Sequence, residues 1–442
     1  MKEALLNPVR LVALAFLAVI IVGGLLLMLP ISRASESSAI MPAFFTSVSA
    51  VCVTGLTSVD TAEFWSPFGQ GVILMLIQVG GFGIMAFATL LALLVGSRLD
   101  LLTTRVAQTE THTLNLGEVG AVLRRIALLI ITVELLTTVA LTVRFRVAYD
   151  DNLGDAAWHG LFHAVSAFNN AGFALFSDNL VGFVNDGWII FPVCVAVIVG
   201  GLGFPVVIEL FRHRRRRSMW TIHTRLTVWG TLGLLILGIS AFMALEWSNP
   251  ATLGPMSVGD KLTGAVAGGV FPRTAGFNSI DYADATSETL AITNVLMFIG
   301  GGSAGTAGGV KITTFLLLAF VIWTEVRGDD HVTIGNRSVG SATQRQALSV
   351  ALLGVAAVAI GTFSLLLLTD YGLEPLLFES ISAFATVGLS AGITPELEPG
   401  PELVLMVLMF VGRVGTVTVA TALALNAKPR LFRLPEERPI IG

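Results

Sequence analysis

Charged side chains are scarce in this chain: Asp, Glu, Lys and Arg make up 13% of its 442 residues, roughly half the share found in soluble domains. With 54% hydrophobic residues and a mean hydropathy of +0.82, a soluble fold is excluded and an integral membrane protein is expected. Cysteine is rarer still. Cys52 and Cys194 both fall in apolar stretches expected inside the bilayer, so they read as core packing and not as a disulfide framework. A nucleophile–base pair, an H-E-x-x-H zinc signature and a redox motif are also missing, so no enzyme and no cofactor in this chain are expected. No polar stretch is long enough to form a soluble domain, and no nucleic-acid partner is indicated. The first apolar run, residues 11–29, is too long for a signal h-region and lacks an A-x-A exit, so it reads as a retained span.

In place of these the chain has internal repetition. The pattern F-x-x-V-S-A-x-x-x-x-G-L at residues 45–56 returns as FHAVSAFNNAGF at 162–173 and as FESISAFATVGL at 378–389. Serine stands six residues before glycine in each copy: Ser49 and Gly55, Ser166 and Gly172, Ser382 and Gly388. A fourth, weaker copy ends TAGF at 274–277 and supplies Gly276. The chain therefore reads as four related units of about 110 residues. Each unit has a long apolar run, a short apolar helix, a glycine strip and a second long run. These fall at 9–29, 41–53, 54–56 and 68–95, then at 121–143, 155–169, 170–173 and 188–211. The third unit has them at 223–245, 258–271, 274–277 and 290–323, and the fourth at 347–369, 374–385, 386–389 and 403–425.

The long runs reach the ~20 residues that span a bilayer, and the short ones do not. The expected fold is an all-α integral membrane protein of eight transmembrane helices and four re-entrant pore helices, pseudo-fourfold around one pore. Unit boundaries are placed at 1–98, 119–213, 221–325 and 346–427, with a cytoplasmic tail at 428–442. If the short helices enter from outside, only Arg33, Arg144, Arg146, Lys261 and Arg273 fall on the outer side, Lys311 and Arg413 fall inside spans, and every other Lys and Arg is cytoplasmic. That bias puts both termini in the cytoplasm. The basic run at 212–217 reads as a topology anchor, or else as a site for anionic membrane lipids or a regulatory subunit.

A cation losing its hydration shell needs numerous fixed, uncharged oxygens, which backbone carbonyls of an extended strip supply. Glycine lets four such strips converge, because it has no Cβ. The short helices would direct their partially negative C-termini toward the ion. One glycine would suggest only close helix packing. Four in the same phase of a repeat point to a selectivity filter made of Val53, Thr54 and Gly55, Asn170, Ala171 and Gly172, Thr274, Ala275 and Gly276, and Thr386, Val387 and Gly388.

These strips, VTGL, NAGF, TAGF and TVGL, resemble those of the Trk/Ktr/HKT superfamily of potassium transporters, and the likeness runs along essentially the whole chain. Without two further leading helices, the chain looks closest to the Ktr type. The resemblance implies that K+ is the transported ion, bound at filter carbonyls, and that glycine in all four strips goes with potassium preference, while serine in the first strip goes with sodium transport. It also implies a homodimer seated on a cytosolic ring of nucleotide-binding, RCK-type regulatory subunits, so that nucleotide is expected only on that partner. The third unit departs from the pattern, having Gly269-Val270-Phe271 in place of V-S-A and Arg273 beside its strip.

The run Gly300, Gly301, Gly302, Ser303, Ala304, Gly305, Thr306, Ala307, Gly308, Gly309 interrupts the last span of the third unit. Each of its glycines would cost about 1 kcal/mol in a helix interior, so a continuous helix is not expected. A G-x-G-x-x-G match here carries little weight, since no strand precedes it and Val310 separates Gly309 from Lys311. Non-helical backbone at membrane depth lines a cavity or is buried in protein. The resemblance implies a flexible gate loop under the filter, with Arg413 reaching it. Lys311 either faces the loop or snorkels to the cytoplasmic surface.

Three further readings complete the sequence's candidates. His159 and His163 stand four apart on a helix without a third ligand, so packing or a hydrogen bond is favoured over metal. Asp60, Asp178 and Asp281 follow three strips and either concentrate cations at the outer mouth or serve as turn residues. A cation-coupled (Na+ or H+) secondary transporter with its site at the broken helix is the alternative function. Such folds are usually inverted repeats, whereas these units run in one sense.

Overall fold

The computed structural model describes residues 8–34, 40–103, 116–149, 152–335 and 337–415. Helix dominates because long apolar runs can satisfy their backbone polar groups only internally. The helices are α1 (Pro8–Leu27), α2 (Ile40–Cys52), α3 (Pro67–Thr103), α4 (Leu116–Ala148) and α5 (Leu153–Asn169). They continue as α6 (Gly187–Leu202), α7 (Phe204–Arg212), α8 (Ile222–Glu246), α9 (Val258–Val270) and α10 (Ser287–Phe298). The last four are α11 (Ile312–Arg327), α12 (Ser341–Leu368), α13 (Leu373–Phe384) and α14 (Pro399–Phe410). A two-residue antiparallel pair, β1 (Thr333–Ile334) with β2 (Arg337–Ser338), joins α11 to α12. Polar side chains set several helix starts: Asn152, Thr221, Ser257 and Thr286 each accept a backbone N–H in the first turn of the helix that follows.

Among the described residues, three helices are long and apolar enough to cross a membrane: Gly120–Ala148, Ile222–Glu246 and Ser341–Leu368. Their outer faces carry exposed large apolar residues, Leu136, Ile236 and Ile360 among them, as a lipid-facing surface requires. The short helices α2, α5, α9 and α13 occupy the interior, each packed most extensively on the long helix before it. They also pack on the helix that ends the neighbouring unit. Thus α3 meets α5, α6 meets α9, α10 meets α13, and α14 returns to α2. This last contact brings residues 399–410 back onto residues 40–52.

The second unit's closing run, read from sequence as one span over 188–211, is two helices. α6 and α7 meet at Gly203 with a bend of 99°. The cause is local and tertiary together. Gly203 has φ +90°, which a side chain would resist, and Pro205 is confined to the first turn of α7. The bend is filled by the glycine run of the third unit: Phe204 N–H donates to the Ala304 carbonyl at 3.2 Å.

Arg273 also differs from its reading as an outer-side charge. It is 6% exposed and turned into the protein, because the end of α10 offers it carbonyls with no helical donor. The closing run of the fourth unit leaves α-helical geometry at Val411–Gly415, a π-turn holding Arg413. The tail at 428–442 and residues 416–425 of the last run lie outside the described residues.

Candidate functional site

Each short helix ends at its strip or with at most three residues between them, and the strip turns the chain by alternating backbone hand. Val53, Asn170, Thr274 and Thr386 have φ of +56°, +59°, +68° and +48°, and the glycines two residues on, Gly55, Gly172, Gly276 and Gly388, have +94°, +70°, +73° and +98°. A non-glycine residue held left-handed costs on the order of 1–3 kcal/mol, and here the strain recurs at the same step of all four strips. Such strain persists only where surrounding contacts enforce it. Those contacts are visible. Thr54, Ala171 and Val387 donate their N–H groups to the carbonyls of Ser49, Ser166 and Ser382 at 2.8, 2.7 and 2.8 Å. Gly55 and Gly388 donate theirs to the Ser49 and Ser382 hydroxyls at 3.0 and 3.1 Å. In the first and fourth strips the six-residue spacing of serine and glycine is therefore a side-chain brace under the strip.

The third strip is built differently. Val270 occupies the serine position, and Ala275 N–H reaches back to the Phe271 carbonyl at 2.9 Å. Ser166 keeps the backbone bond but its hydroxyl has no partner among the described residues.

The four strips meet. A Cβ placed on Gly55 would strike the Ala171 carbonyl of the second strip, and one on Gly172 would lie 2.6 Å from Gly276 Cα and 2.9 Å from the Ala275 carbonyl of the third. Gly276 faces the Val387 carbonyl of the fourth strip, and Gly388 faces the Thr54 carbonyl of the first. Each glycine thus leans on the carbonyl before its neighbour's glycine, in one rotational sense, and the ring closes. No side chain fits at any of the four positions unless the adjacent strip shifts, because its backbone already occupies the space.

A cavity of about 480 Å³ opens directly over this ring, with Gly55, Gly172 and Gly388 in its wall. Asp60, Asp178 and Asp281 all line it. Asp60 is committed to capping a helical turn, accepting from Ala62 N–H at 2.7 Å, and Asp281 accepts from Ala283 N–H at 2.9 Å. Asn179 bridges two strips, donating to the Gly172 carbonyl at 3.2 Å and accepting from Asn278 N–H at 3.2 Å.

Beneath the strips lies the run from Gly300 to Gly309, a buried non-helical loop between α10 and α11. Its ends are pinned to each other: Gly300 N–H donates to the Val310 carbonyl at 2.8 Å and Val310 N–H to Phe298 at 3.2 Å. Its middle is docked into the Gly203 bend, where Gly302 and Thr306 donate to the carbonyls of Gly201 and Gly200 at 2.8 and 3.1 Å. The Thr306 hydroxyl donates to the Phe168 carbonyl at 3.1 Å, below the second strip, and lies 3.1 Å from the Asn170 amide. Gly308 packs on Thr386 and the Ala385 carbonyl of the fourth unit. Ser303 pairs with Thr313 at 3.2 Å.

Three cations hold this loop. Arg413, 2% exposed, donates from Nη1 to the Thr306 carbonyl, while its Nε and Nη2 have no partner among the described residues. Lys311, partly exposed, donates from Nζ to the Ala307 carbonyl at 2.5 Å, which places its ammonium on the loop. Arg273 donates to the carbonyls of Leu296, Ile299 and Gly300.

His163 does not make a metal site with His159. Its Nε2 accepts from Leu175 N–H at 3.3 Å and its Nδ1 lies 2.7 Å from the His159 carbonyl, so both ring nitrogens are engaged. Glu379 plays the corresponding part in the fourth unit, accepting from Ser390, Ala391 and Thr394 at 2.6, 3.0 and 2.7 Å. Sequence reasoning passed over Glu379, Asn179 and Gly203. A signal for the first was present: His163 and Glu379 each follow the leading phenylalanine of the repeat, a position that reaches the turn after its strip.

Comparison with known proteins gives a consistent relationship. The family described as "TrkH: Cation transport protein" matches residues 5–433. The chain is 38% identical over 436 residues to "Ktr system potassium uptake protein B" of Bacillus subtilis (strain 168), covering 99% of this chain and 97% of that protein. It is 37% identical to the protein of the same name from Vibrio alginolyticus, covering 98% and 94%. With "Potassium/sodium uptake protein NtpJ" of Enterococcus hirae it shares 36% identity, over 99% and 98%. Its fold is similar to the crystal structure of the potassium transporter TrkH from Vibrio parahaemolyticus, with a TM-score of 0.71 at 18% identity, covering 95% of this chain and 85% of that one. The chain belongs to the TrkH family of cation transport proteins.

Proposed function

We propose that this protein takes up potassium ions across the cell membrane through a channel-like pore. The four strips are its selectivity filter, and the loop at 300–309 is its gate. The observation that carries this reading is the closed ring in which each strip's glycine rests on the next strip's carbonyl. A ring of backbone carbonyls with no room for side chains is what a partly dehydrated cation requires. The names of the Bacillus and Vibrio relatives favour potassium as that cation, and Gly55 in the first strip agrees.

In this reading the chain forms four membrane–pore-loop–membrane units, eight spans in all, pseudo-fourfold about the ring. The cyclic packing of short helices on neighbouring units supports it. Both termini face the cytoplasm, as the Lys and Arg distribution favours. The protein is a homodimer regulated by a cytosolic ring of nucleotide-binding subunits, which contact the exposed basic cluster of Arg212 and Arg214 to Arg217. The loop lies below the ring, so its position sets whether an ion can leave toward the cytoplasm. A cation-coupled transporter with its site at the break between α10 and α11 is the second reading, favoured by the broken helix itself. It requires the coupled ion to bind at the loop carbonyls, and cationic side chains already hold three of these, at Gly300, Thr306 and Ala307.

Uptake of K+ against Na+ by the purified chain in proteoliposomes, compared between parent and ring-glycine variants, tests the proposal. Selectivity that ignores those glycines contradicts it.

A further inference from the structure

Arg273 links two parts of the site that the chain otherwise leaves separate. It directly precedes the third strip, Thr274, Ala275 and Gly276, yet its guanidinium reaches the end of α10. Nη1 donates to the Leu296 carbonyl at 3.3 Å and to that of Ile299, and Nη2 donates to the Gly300 carbonyl at 2.7 Å. These carbonyls are orphaned where the helix stops. Gly300 N–H, which would have served Leu296 in a continuous helix, is turned to Val310 at 2.8 Å. A planar guanidinium with five donors can serve several carbonyls at once, which an ammonium cannot match.

Completing a helix end would account for these bonds alone. The position of Arg273 gives them a second consequence. The first and fourth strips are braced from below by the Ser49 and Ser382 hydroxyls, and the third has Val270 there instead. Its glycine therefore lacks the side-chain brace, and the residue before the strip is fastened to the first residue of the loop. Arg413, by contrast, comes from the fourth unit and holds the loop at its middle, at Thr306.

We propose that Arg273 is a positioning residue that couples the third strip to the upstream hinge of the glycine loop, so that the hinge, and not the loop's middle, sets the third side of the ion-selecting ring. The coupling rests on the pore-and-gate reading above. Under it the two arginines have separable roles. Arg413 restrains the loop, and Arg273 fixes the pivot on which the loop moves and holds the ring's third side to that pivot.

The test is parallel K+ and Na+ flux from the full chain in proteoliposomes, with insertion checked for each variant. Arg273→Gln is expected to raise Na+ flux relative to K+ about fivefold, the ratio given by losing about 1 kcal/mol of discrimination, and to raise total flux. Arg273→Lys, which keeps the charge but lacks the planar fork that spans the three carbonyls, is expected to fall between parent and Arg273→Gln, and it decides the question should the glutamine variant fail to insert. Arg413→Ala is expected to raise flux with the ratio of the parent. Gly300→Ala leaves Arg273 in place, forces a methyl group against the Gly308 carbonyl, and should shift the ratio in the same direction. An unchanged ratio in the Arg273 variants and in Gly300→Ala, while Gly55→Ser shifts it, makes Arg273 a helix cap only and overturns the proposal. An unchanged ratio in Gly55→Ser as well removes the filter reading itself, and the coupling with it.

Discussion

Gly388 of the fourth strip rests against the carbonyl oxygen of Thr54 in the first, closing a ring between residues more than three hundred positions apart in the chain. The closure explains why glycine recurs at this step. A Cβ at Gly388 would meet Thr54 oxygen and lie 3.0 Å from Gly55 Cα and 3.1 Å from Gly276 Cα. The neighbours are backbone on every side and cannot swing away as a side chain would. A substitution at one strip is therefore felt at the adjacent one.

That crowding predicts graded effects around the ring. Gly172→Ala and Gly276→Ala should each distort two strips, with a strain on the order of 1–3 kcal/mol for the left-handed backbone alone. K+/Na+ discrimination should fall by about tenfold for each kcal/mol and a half that reaches the ring. Parallel flux assays on folded, inserted variants check this. Alanine at Gly71, which has open space around it, should leave discrimination unchanged.

The serine braces predict a difference between units. Ser49→Ala and Ser382→Ala strand a buried glycine N–H and should destabilise the site by roughly 1–3 kcal/mol. Ser166→Ala removes a hydroxyl that has no partner among the described residues and should cost less than either. Thermal unfolding in detergent, read beside the K+/Na+ flux ratio, separates the two classes. Equal losses at all three serines would mean that the hydroxyls do not brace the strips.

The loop depends on its tethers because six glycines give its backbone high conformational entropy. Arg413→Ala, or deletion of residues 302–305, should raise potassium flux and weaken its dependence on the proposed regulatory subunit. Flux in vesicles with and without the cytosolic partner measures both effects. If both variants insert and behave as the parent, the loop is a passive lining.

The bend between α6 and α7 is the loop's seat, so it should share in the control. A methyl group at Gly203 would lie 2.5 Å from the Ser303 carbonyl on a backbone of φ +90°. Gly203→Ala is therefore expected to push on the loop and alter flux without regulation, leaving the K+/Na+ ratio of the parent. A parental flux would show that the seat tolerates displacement.

The repeat made the strips legible because each glycine is dictated locally by backbone hand and globally by the ring, and both demands act on one residue. The short helices were legible for a similar reason: a run too short to span a bilayer is bounded by its own composition. The bend at Gly203 escaped because 188–208 is apolar throughout, and periodicity is silent where every face is hydrophobic. Its cause, the loop of another unit, lies about a hundred residues away. Arg273 was misplaced for the converse reason. A charge next to a strip counts as an outer residue in a topology tally, yet carbonyls freed by a broken helix can draw it inside. Glu379 and His163 show how a repeat can hide function, since their chemistry differs while their position and task agree.

The most direct measurement of the central claim is the K+/Na+ flux ratio of Gly55→Ser in proteoliposomes, set beside that of the parent. Serine adds a Cβ and a hydroxyl where the Ala171 carbonyl of the next strip already stands. The account predicts a folded, inserted protein that admits sodium and has lost most of its preference for potassium. A Gly55→Ser protein that discriminates as well as the parent would contradict it, and the ring would then be a packing device with ion selection placed elsewhere.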